Sequence, residues 1–206
     1  MRWRLLLMVC ALVGSTAAQA VWVRVVAIGP GYAQIEVNQA TVRTLRPGEQ
    51  TPEGVRLHSL SATHAEIEAN GVTQRLSLGQ RMAPTAIIQA DARGHYAAVA
   101  SINGRRTTVL VDTGATGVAL SRNEAERLGI AYQSGRRINI RTAGGDTIGY
   151  VVSLDSVQVG GITLNKVDAV VSSLPDAPPI ALLGMSFLGR LEMVKDGNRL
   201  QLMQLR

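Results

Sequence analysis

Cysteine is almost absent from this 206-residue sequence. Cys10 is the single cysteine, and it lies within the first twenty residues. The rest of the chain therefore has no disulfide, no thiol nucleophile and no thiolate metal ligand. Histidine is scarce as well. His58, His64 and His95 form neither an H-E-x-x-H pattern nor an i, i+4 pair, so we expect no metal site.

Long apolar runs are also missing. The run from Leu5 to Val13 has nine residues, whereas a helix that spans a membrane takes about 20. Arg2 and Arg4 precede this run, and the small-x-small sequence Ala18-Gln19-Ala20 follows it. This order predicts a signal peptide over residues 1–20 rather than a retained anchor. We therefore expect an exported protein, in the bacterial periplasm, without stable membrane insertion.

Aromatic residues and charges are both sparse, at 3% and 17% of the chain. Aliphatic side chains must therefore fill the core. The net charge is +6, but the arginines are scattered and the pairs Arg105-Arg106 and Arg136-Arg137 are short. A nucleic-acid-binding protein concentrates its positive charge in a patch or stripe. The sequence thus favours a protein that binds no nucleic acid.

Turn signals separate short, β-rich segments along most of the chain. Residues 21–80 show strand patterns at intervals of 8–12 residues and the hairpin signal Asn70-Gly71, which predicts a small all-β module. Residues 81–93, interrupted by Pro84, are interpreted as a linker. The module before it has two open roles: docking the protein to a partner, or a pro-segment removed by self-cleavage in the linker. Residues 94–206 form a second β-rich segment. Within it, Ser121 and Glu124 match a helix capping box, and Met185 to Arg190 is a short helical stretch.

One short motif points to chemistry. Asp112-Thr113-Gly114 follows the apolar strand Val109-Leu110-Val111, so a carboxylate stands at the end of a buried strand. We expect Gly114 to allow a tight turn that a Cβ would obstruct. Further along the chain come a glycine-bearing hairpin at Ala143 to Asp146 and the apolar-apolar-Gly triplet Leu182-Leu183-Gly184.

This ordered set resembles the retropepsin-like aspartic proteases, in particular their bacterial, exported, single-domain members. Those domains carry a D-T-G-[AS]-[ST] loop, a β-hairpin flap, an apolar-apolar-Gly strand beneath the loop, and then a short helix. The resemblance covers residues 94–206. It implies an all-β fold: a retropepsin-like β-barrel with one short helix, preceded by the small β module.

The resemblance also assigns roles to individual residues. These are Asp112 as the catalytic carboxylate; Thr113, Gly114, Ala115 and Thr116 as the active-site loop; Ala143, Gly144, Gly145 and Asp146 as the substrate-binding flap; and Leu182, Leu183 and Gly184 as the strand that supports the loop. Thr116 stands where some relatives carry Asp, so any specificity tied to that position does not carry over.

The chemistry implied is hydrolysis of peptide bonds by a water held between two carboxylates, without a cofactor. Such a pair shares one proton because two ionised carboxylates repel each other at short range. The sequence has only one D-T-G motif, so the resemblance implies a homodimer with an isologous interface. We expect the C-terminal strands, around Leu200 to Leu205, to interleave between the two chains, and a protein or peptide to be the substrate.

Two other functions remain open at this stage. A binding or scaffolding module could keep the protease fold without turnover, although the intact Asp112-Thr113-Gly114 sequence favours an enzyme. A serine hydrolase is disfavoured, because the sequence from Gly184 to Gly189 around Ser186 is one residue too long for a G-x-S-x-G elbow. Ser186 is therefore interpreted as a small polar residue near the start of a helix.

Overall fold

The computed structural model describes residues 21–142, 145–173 and 180–205. In those ranges the chain is built from sixteen β-strands and only two short helices, which confirms the all-β prediction. Both helices lie where the capping box at Ser121 and the stretch from Met185 predict them, one more than the resemblance implied. No helix within the described ranges has the length and apolar character needed to cross a membrane.

The N-terminal module consists of two three-stranded antiparallel sheets with the orders β1-β2-β3 and β4-β5-β6. Their strands are β1 Val23–Gly29, β2 Tyr32–Val37, β3 Thr41–Leu45, β4 Arg56–Leu60, β5 His64–Ala69 and β6 Val72–Ser77. Side chains alternate between buried and exposed along β6, as a strand with one face on a core requires. Val25, Ile35, Leu57 and Ile67 are fully buried in a core that both sheets share.

The C-terminal domain is a closed β-barrel. Its elements are β8 Ala97–Ile102, β9 Arg105–Val111, β10 Val118–Ser121, α1 Arg122–Arg127, a 3-10 turn Tyr132–Ser134, β11 Arg136–Thr142, β12 Gly145–Val159, β13 Ile162–Ser172, β14 Ile180–Leu183, α2 Met185–Leu188, β15 Leu191–Asp196 and β16 Arg199–Gln204. Six strands close in the order β12-β13-β10-β14-β9-β8, with Val157 of β12 paired to Ile102 of β8. Strand β11 extends this sheet beyond β12.

The segment predicted as a linker contains a strand. Thr85–Gln89 forms β7, which pairs antiparallel with β16, so that the second sheet of the domain has the order β15-β16-β7. Ala86 and Ile88 are buried in the same core as Leu200 and Leu202. An apolar residue at every second position drives this pairing, because the two side chains face the barrel core.

The N-terminal module contacts this sheet directly. The side-chain amide of Gln74 donates to the carbonyl oxygen of Ala83 at 3.1 Å and accepts from its N–H at 2.9 Å. Arg199, on β16, donates to the carbonyl oxygen of Gly71. The module is thus joined to the C-terminal domain by hydrogen bonds as well as by the chain itself.

The capping box at α1 forms only in part. Ser121 accepts a hydrogen bond from the N–H of Glu124, as predicted. The carboxylate of Glu124 is only 1% exposed and instead accepts from Thr107 on β9 and from Nε of Arg127 at 2.8 Å. Hydrogen bonds from Arg127 lower the pKa of the Glu124 carboxyl, Thr107 adds to that lowering, and burial opposes it. Glu124 thus ties α1 to the strand that leads to Asp112.

We predict that a fragment of residues 94–206 is less stable than a fragment of residues 84–206. The shorter fragment lacks β7, so the core residues of β16 lose Ala86 and Ile88. Burial of one large aliphatic side chain contributes about 1.5–3 kcal/mol, so the free energy of unfolding in urea should fall by about 3 kcal/mol or more.

Point variants of the full chain serve as the control for this experiment. Ile88→Ala should lower the free energy of unfolding by about 2–5 kcal/mol, whereas Gln89→Ala, at an exposed position of the same strand, should change it by less than about 0.5 kcal/mol. Equal stability of the two fragments would show that β7 is not part of the folded domain.

Candidate active site

Asp112 stands at the carboxyl end of β9, where the strand leaves the sheet. Val111 pairs with Leu183 of β14, and the N–H of Asp112 donates to the carbonyl oxygen of Leu183 at 3.1 Å. Val109, two residues before the end of the strand, is completely buried. The base of the loop is therefore fixed in the barrel, while the Asp112 side chain itself is half-buried.

The loop folds back on the Asp112 side chain. The N–H of Gly114 donates to Oδ1 of Asp112 at 2.8 Å, and the N–H of Ala115 donates to the Asp112 carbonyl oxygen at 3.3 Å. These bonds form an Asx-type turn, in which a short acidic side chain caps its own backbone. Among the described residues, no donor hydrogen-bonds to the second oxygen, Oδ2, so that one carboxylate oxygen is held and the other is available to a reactant.

The triplet from Leu182 to Gly184 lies directly against this loop. Strand β14 is placed between β9 and β10 and pairs with both, parallel with β9 and antiparallel with β10. A Cβ on Gly184 would lie 2.1 Å from the carbonyl oxygen of Gly117 and 2.7 Å from that of Ala115. Only glycine permits this approach, because both neighbours are backbone atoms.

The first turn of α2 holds the middle of the loop. The N–H of Met185 donates to the carbonyl oxygen of Ala115 at 2.8 Å, and the N–H of Ser186 donates to that of Thr116 at 2.9 Å. The side chains of Thr113 and Thr116 are exposed. Their hydroxyls thus face outward from a loop whose backbone is held from below.

The position that only glycine can occupy is Gly184 and not Gly114, the position that the sequence suggested. A Cβ at Gly114 would meet only Oδ1 of Asp112, at 3.2 Å, which a small rotation of that side chain relieves. The severe constraint is at Gly184. Gly117 is a second tight position that sequence reasoning missed, because a Cβ there would lie 3.1 Å from the carbonyl oxygen of Asp168 on β13.

The predicted flap coincides with a hairpin between β11 and β12. Thr142 pairs with Gly145 and Arg141 with Asp146, so that the strands are paired up to the tip. Gly145 and Asp146 belong to the first residues of β12, while Ala143 and Gly144 lie outside the described residues. The hairpin is an extension of the barrel sheet, since β12 continues without a break to Val159.

Two of the acids away from the loop have other partners. Asp155 forms an ion pair with Lys166 at 2.6 Å, and Asp91 accepts hydrogen bonds from the backbone of Arg93 and His95. The described part of the chain contains no group of three or more His, Cys, Asp or Glu side chains that could hold a metal ion.

Ser186 does not have the surroundings of a nucleophile. Its hydroxyl donates to the carbonyl oxygen of Asp168 at 2.7 Å and accepts from the N–H of Val118 at 3.1 Å. Both partners are backbone groups, and neither activates an oxygen for attack. Sequence reasoning treated Ser186 as a small polar residue and did not find these contacts, which join residues distant in the chain.

Comparison with known proteins agrees with this geometry. Residues 98–190 match the family described as gag-polyprotein putative aspartyl protease. The crystal structure of a retropepsin-like aspartic protease from Rickettsia conorii aligns with a TM-score of 0.50 and 31% identity, over 57% of this chain and 89% of that one. In sequence and in fold, the C-terminal domain therefore belongs to the retropepsin-like aspartic proteases, and this membership supports a protease-like function.

A second match is to a curated protein whose function is not given. The chain is 34% identical over 110 residues to an uncharacterized protein in the cobV 5' region of Sinorhizobium sp. That match covers 53% of this chain, and the chain spans about half, 47%, of the length of the relative.

We predict that Gly184→Ala is far more destabilising than Gly114→Ala. The new Cβ at position 184 meets two carbonyl oxygens that cannot rotate away, so the free energy of unfolding should fall by more than about 3 kcal/mol. At position 114 the neighbour is a side-chain oxygen, and the loss should be no more than about 1 kcal/mol. Urea unfolding followed by circular dichroism measures both, and equal losses would contradict this account of the loop.

Proposed function

We propose that the protein is an aspartic endopeptidase in which the Asp112 carboxylates of two identical chains form one active site. The observation that carries the proposal is the loop itself. Its backbone is fixed to β14 and α2. Oδ1 of Asp112 accepts from Gly114, and no described residue donates a hydrogen bond to Oδ2. Membership of the retropepsin-like family supports the same chemistry.

The proposed reaction uses one water molecule and one shared proton. The ionised carboxylate takes a proton from the water, whose oxygen attacks the carbonyl carbon of the scissile peptide bond. The protonated carboxylate donates to the carbonyl oxygen, and the resulting diol collapses as the C–N bond breaks and the amine takes up a proton. One carboxyl group cannot fill both roles, because each step needs a proton acceptor on one side and a donor on the other.

The remaining candidate residues would position the reactants. Thr113 and Gly114 would shape the loop around the carboxylate, and the Thr113 hydroxyl, which is exposed in the single chain, would bond to the loop of the partner. The predicted flap, Ala143 to Asp146, would close over an extended peptide. We propose protein or peptide substrates in the periplasm, given the signal-peptide pattern of residues 1–20.

We predict that Asp112→Asn abolishes cleavage of a denatured protein by residues 21–206. An amide cannot take the proton from water, so the rate should fall at least about a thousandfold. Wild-type activity should follow a bell-shaped pH profile between pH 3 and 8, because a carboxylate pair works only with one proton bound. Fragments read by mass spectrometry give both results.

Asp155→Asn is the matched control, because Asp155 is an exposed acid on β12 whose ion-pair partner, Lys166, is exposed as well. It should cleave as the wild type does. Equal cleavage by Asp112→Asn and wild type would contradict the proposal, and absence of cleavage by every variant would favour a binding module that keeps the protease fold.

The C-terminal sheet supports a particular arrangement of the two chains. Strand β16 is paired with β15 on one side and with β7 on the other, so residues 200–204 have no free edge with which to interleave as the resemblance implied. The far side of β7 meets the β12–β13 turn, where the N–H of Gly161 donates to the carbonyl oxygen of Thr85 at 2.9 Å. Among the described residues, no strand pairs with the outer edge of β15.

Strand β15 is also close to the active-site loop along the chain. It begins three residues after α2, whose first residue, Met185, bonds to the loop. Five of its six residues are exposed, including Met193 at 37% and Val194 at 46%. An exposed apolar edge strand invites pairing with another strand. We therefore propose that two chains pair antiparallel through β15, which joins their C-terminal sheets across the two-fold axis.

We predict that a cysteine near the centre of β15 crosslinks two chains. In a symmetric antiparallel pair, one residue faces its own copy across the axis with Cα atoms about 4.5–5.5 Å apart, within disulfide range. Residues 21–206 contain no cysteine, so single replacements of Glu192, Met193, Val194 and Lys195 can be tested without background. Mild oxidation followed by non-reducing electrophoresis should yield a covalent dimer for at least one.

The control is Val42→Cys, since Val42 is 57% exposed but lies on β3 of the N-terminal module. It should give no dimer under the same conditions. Crosslinking at Val42 equal to that on β15, or a monomer by sedimentation at the concentration where the enzyme is active, would contradict this interface.

A further inference from the structure

The Ser186 hydroxyl connects three elements that meet behind the active-site loop. Ser186 is in α2, its donor partner Val118 is the first residue of β10, and its acceptor partner Asp168 is on β13. A serine hydroxyl offers one donor and two acceptor positions. Here the donor and one acceptor position are both used, at 2.7 and 3.1 Å.

The Ser186 hydroxyl contact is made by a side chain, whereas the other hydrogen bonds that hold the loop from outside are made by backbone groups. The bonds from Asp112 to Leu183, from Met185 to Ala115 and from Ser186 to Thr116 are all between backbone groups, so nearly any residue type preserves them. In the described part of the chain, Ser186 is the side chain from outside the loop that hydrogen-bonds to residues 112–118. The position of the C-terminal end of the loop therefore depends on the identity of one residue.

The geometry around Gly117 shows how closely this end of the loop is packed. A Cβ at Gly117 would lie 3.1 Å from the Asp168 carbonyl oxygen and 3.7 Å from Oγ of Ser186. The absence of a side chain at position 117 lets β13 and α2 approach the loop together. The hydroxyl then reaches Val118 and Asp168 at the same time, and it sets the spacing between them.

The contact also relates the loop to the flap. Val118 pairs with Ala169 in the parallel β10–β13 ladder, and β13 in turn pairs with β12, where Gly149 lies opposite Ser172. Strand β12 carries the flap hairpin. A shift of Val118 relative to Asp168 would therefore change the position of the Asp112 loop relative to the flap strand.

We propose that Ser186 is a positioning residue for the reaction, since its hydroxyl fixes the end of the Asp112 loop against β13. This proposal rests on the proposed function and assigns a role to a residue outside the loop, the flap and the supporting triplet. The hydroxyl acts through the backbone of Val118 and touches no reactant. Loss of the hydroxyl releases the loop, and the two Asp112 carboxylates of the dimer then meet at an altered separation.

The test compares Ser186→Ala with a matched loss of another hydroxyl. Ser121 is 4% exposed and accepts from the N–H of Glu124 as the cap of α1, so Ser121→Ala removes a comparable hydrogen bond without touching the loop. Each variant of residues 21–206 is assayed for kcat, KM, pH profile and urea unfolding. Ser186→Thr, which keeps a hydroxyl, provides the conservative variant.

We expect Ser186→Ala to lower kcat about ten- to hundredfold, as a small misplacement of reacting groups does, with KM within about twofold of wild type. The two limbs of its pH profile should lie closer together, because carboxylates that are further apart interact less. Ser121→Ala should leave kcat and the pH profile unchanged. Ser186→Thr should recover most of the activity.

Three results would overturn the proposal. The first is an unchanged kcat in Ser186→Ala, the second is an equal loss of kcat in Ser121→Ala, and the third is a loss in Ser186→Thr as large as that in Ser186→Ala. Amide hydrogen exchange gives a readout that needs no activity. Ser186→Ala should speed exchange at Val118 and Gly114 at least about tenfold, while Ser121→Ala should not. An inactive wild type would contradict the proposed function, and the exchange rates would still decide whether Ser186 positions the loop.

Discussion

The Asp112 loop depends on a contact between two backbones that is closer than any side chain permits. Gly184 lies beneath the carbonyl oxygens of Gly117 and Ala115, at a distance where a methyl group would overlap both. This contact lets β14 run between β9 and β10 and brings α2 into hydrogen-bonding range of the loop. The position of Asp112 therefore follows from the packing of main chains, and the carboxylate is held by a frame that needs few specific side chains.

This dependence on main-chain packing explains which parts of the structure could be predicted from the sequence. Turn signals and alternating apolar residues indicated the all-β fold, and a carboxylate at the end of a buried strand indicated the candidate site. Both patterns are local, since they rest on strand periodicity and on consecutive residues. Asp112 and the supporting triplet were found because each is a contiguous motif, and the structure places them side by side.

The features missed are those that depend on partners distant in the sequence. Strand β7 is five residues long and follows Pro84, so that its pairing with β16 left little local signal. Glu124 matched a capping box, but its carboxylate turns to Thr107 because that strand lies within reach only after folding. Ser186 carries no pattern, and its importance comes from two backbone groups on β10 and β13.

The position of β14 between β9 and β10 determines when, during folding, the Asp112 loop takes its final arrangement. The pairing of β9 with β14 joins strands separated by most of the C-terminal domain, and contacts between distant segments form late because a long loop must first be closed. Until β14 is in place, Asp112 has no Leu183 to bond to, and the loop has no support from α2. A chain in which β14 is not yet in place therefore contains Asp112 without the arrangement of its loop. The peptide hydrolysis proposed above would then begin only in the fully folded molecule.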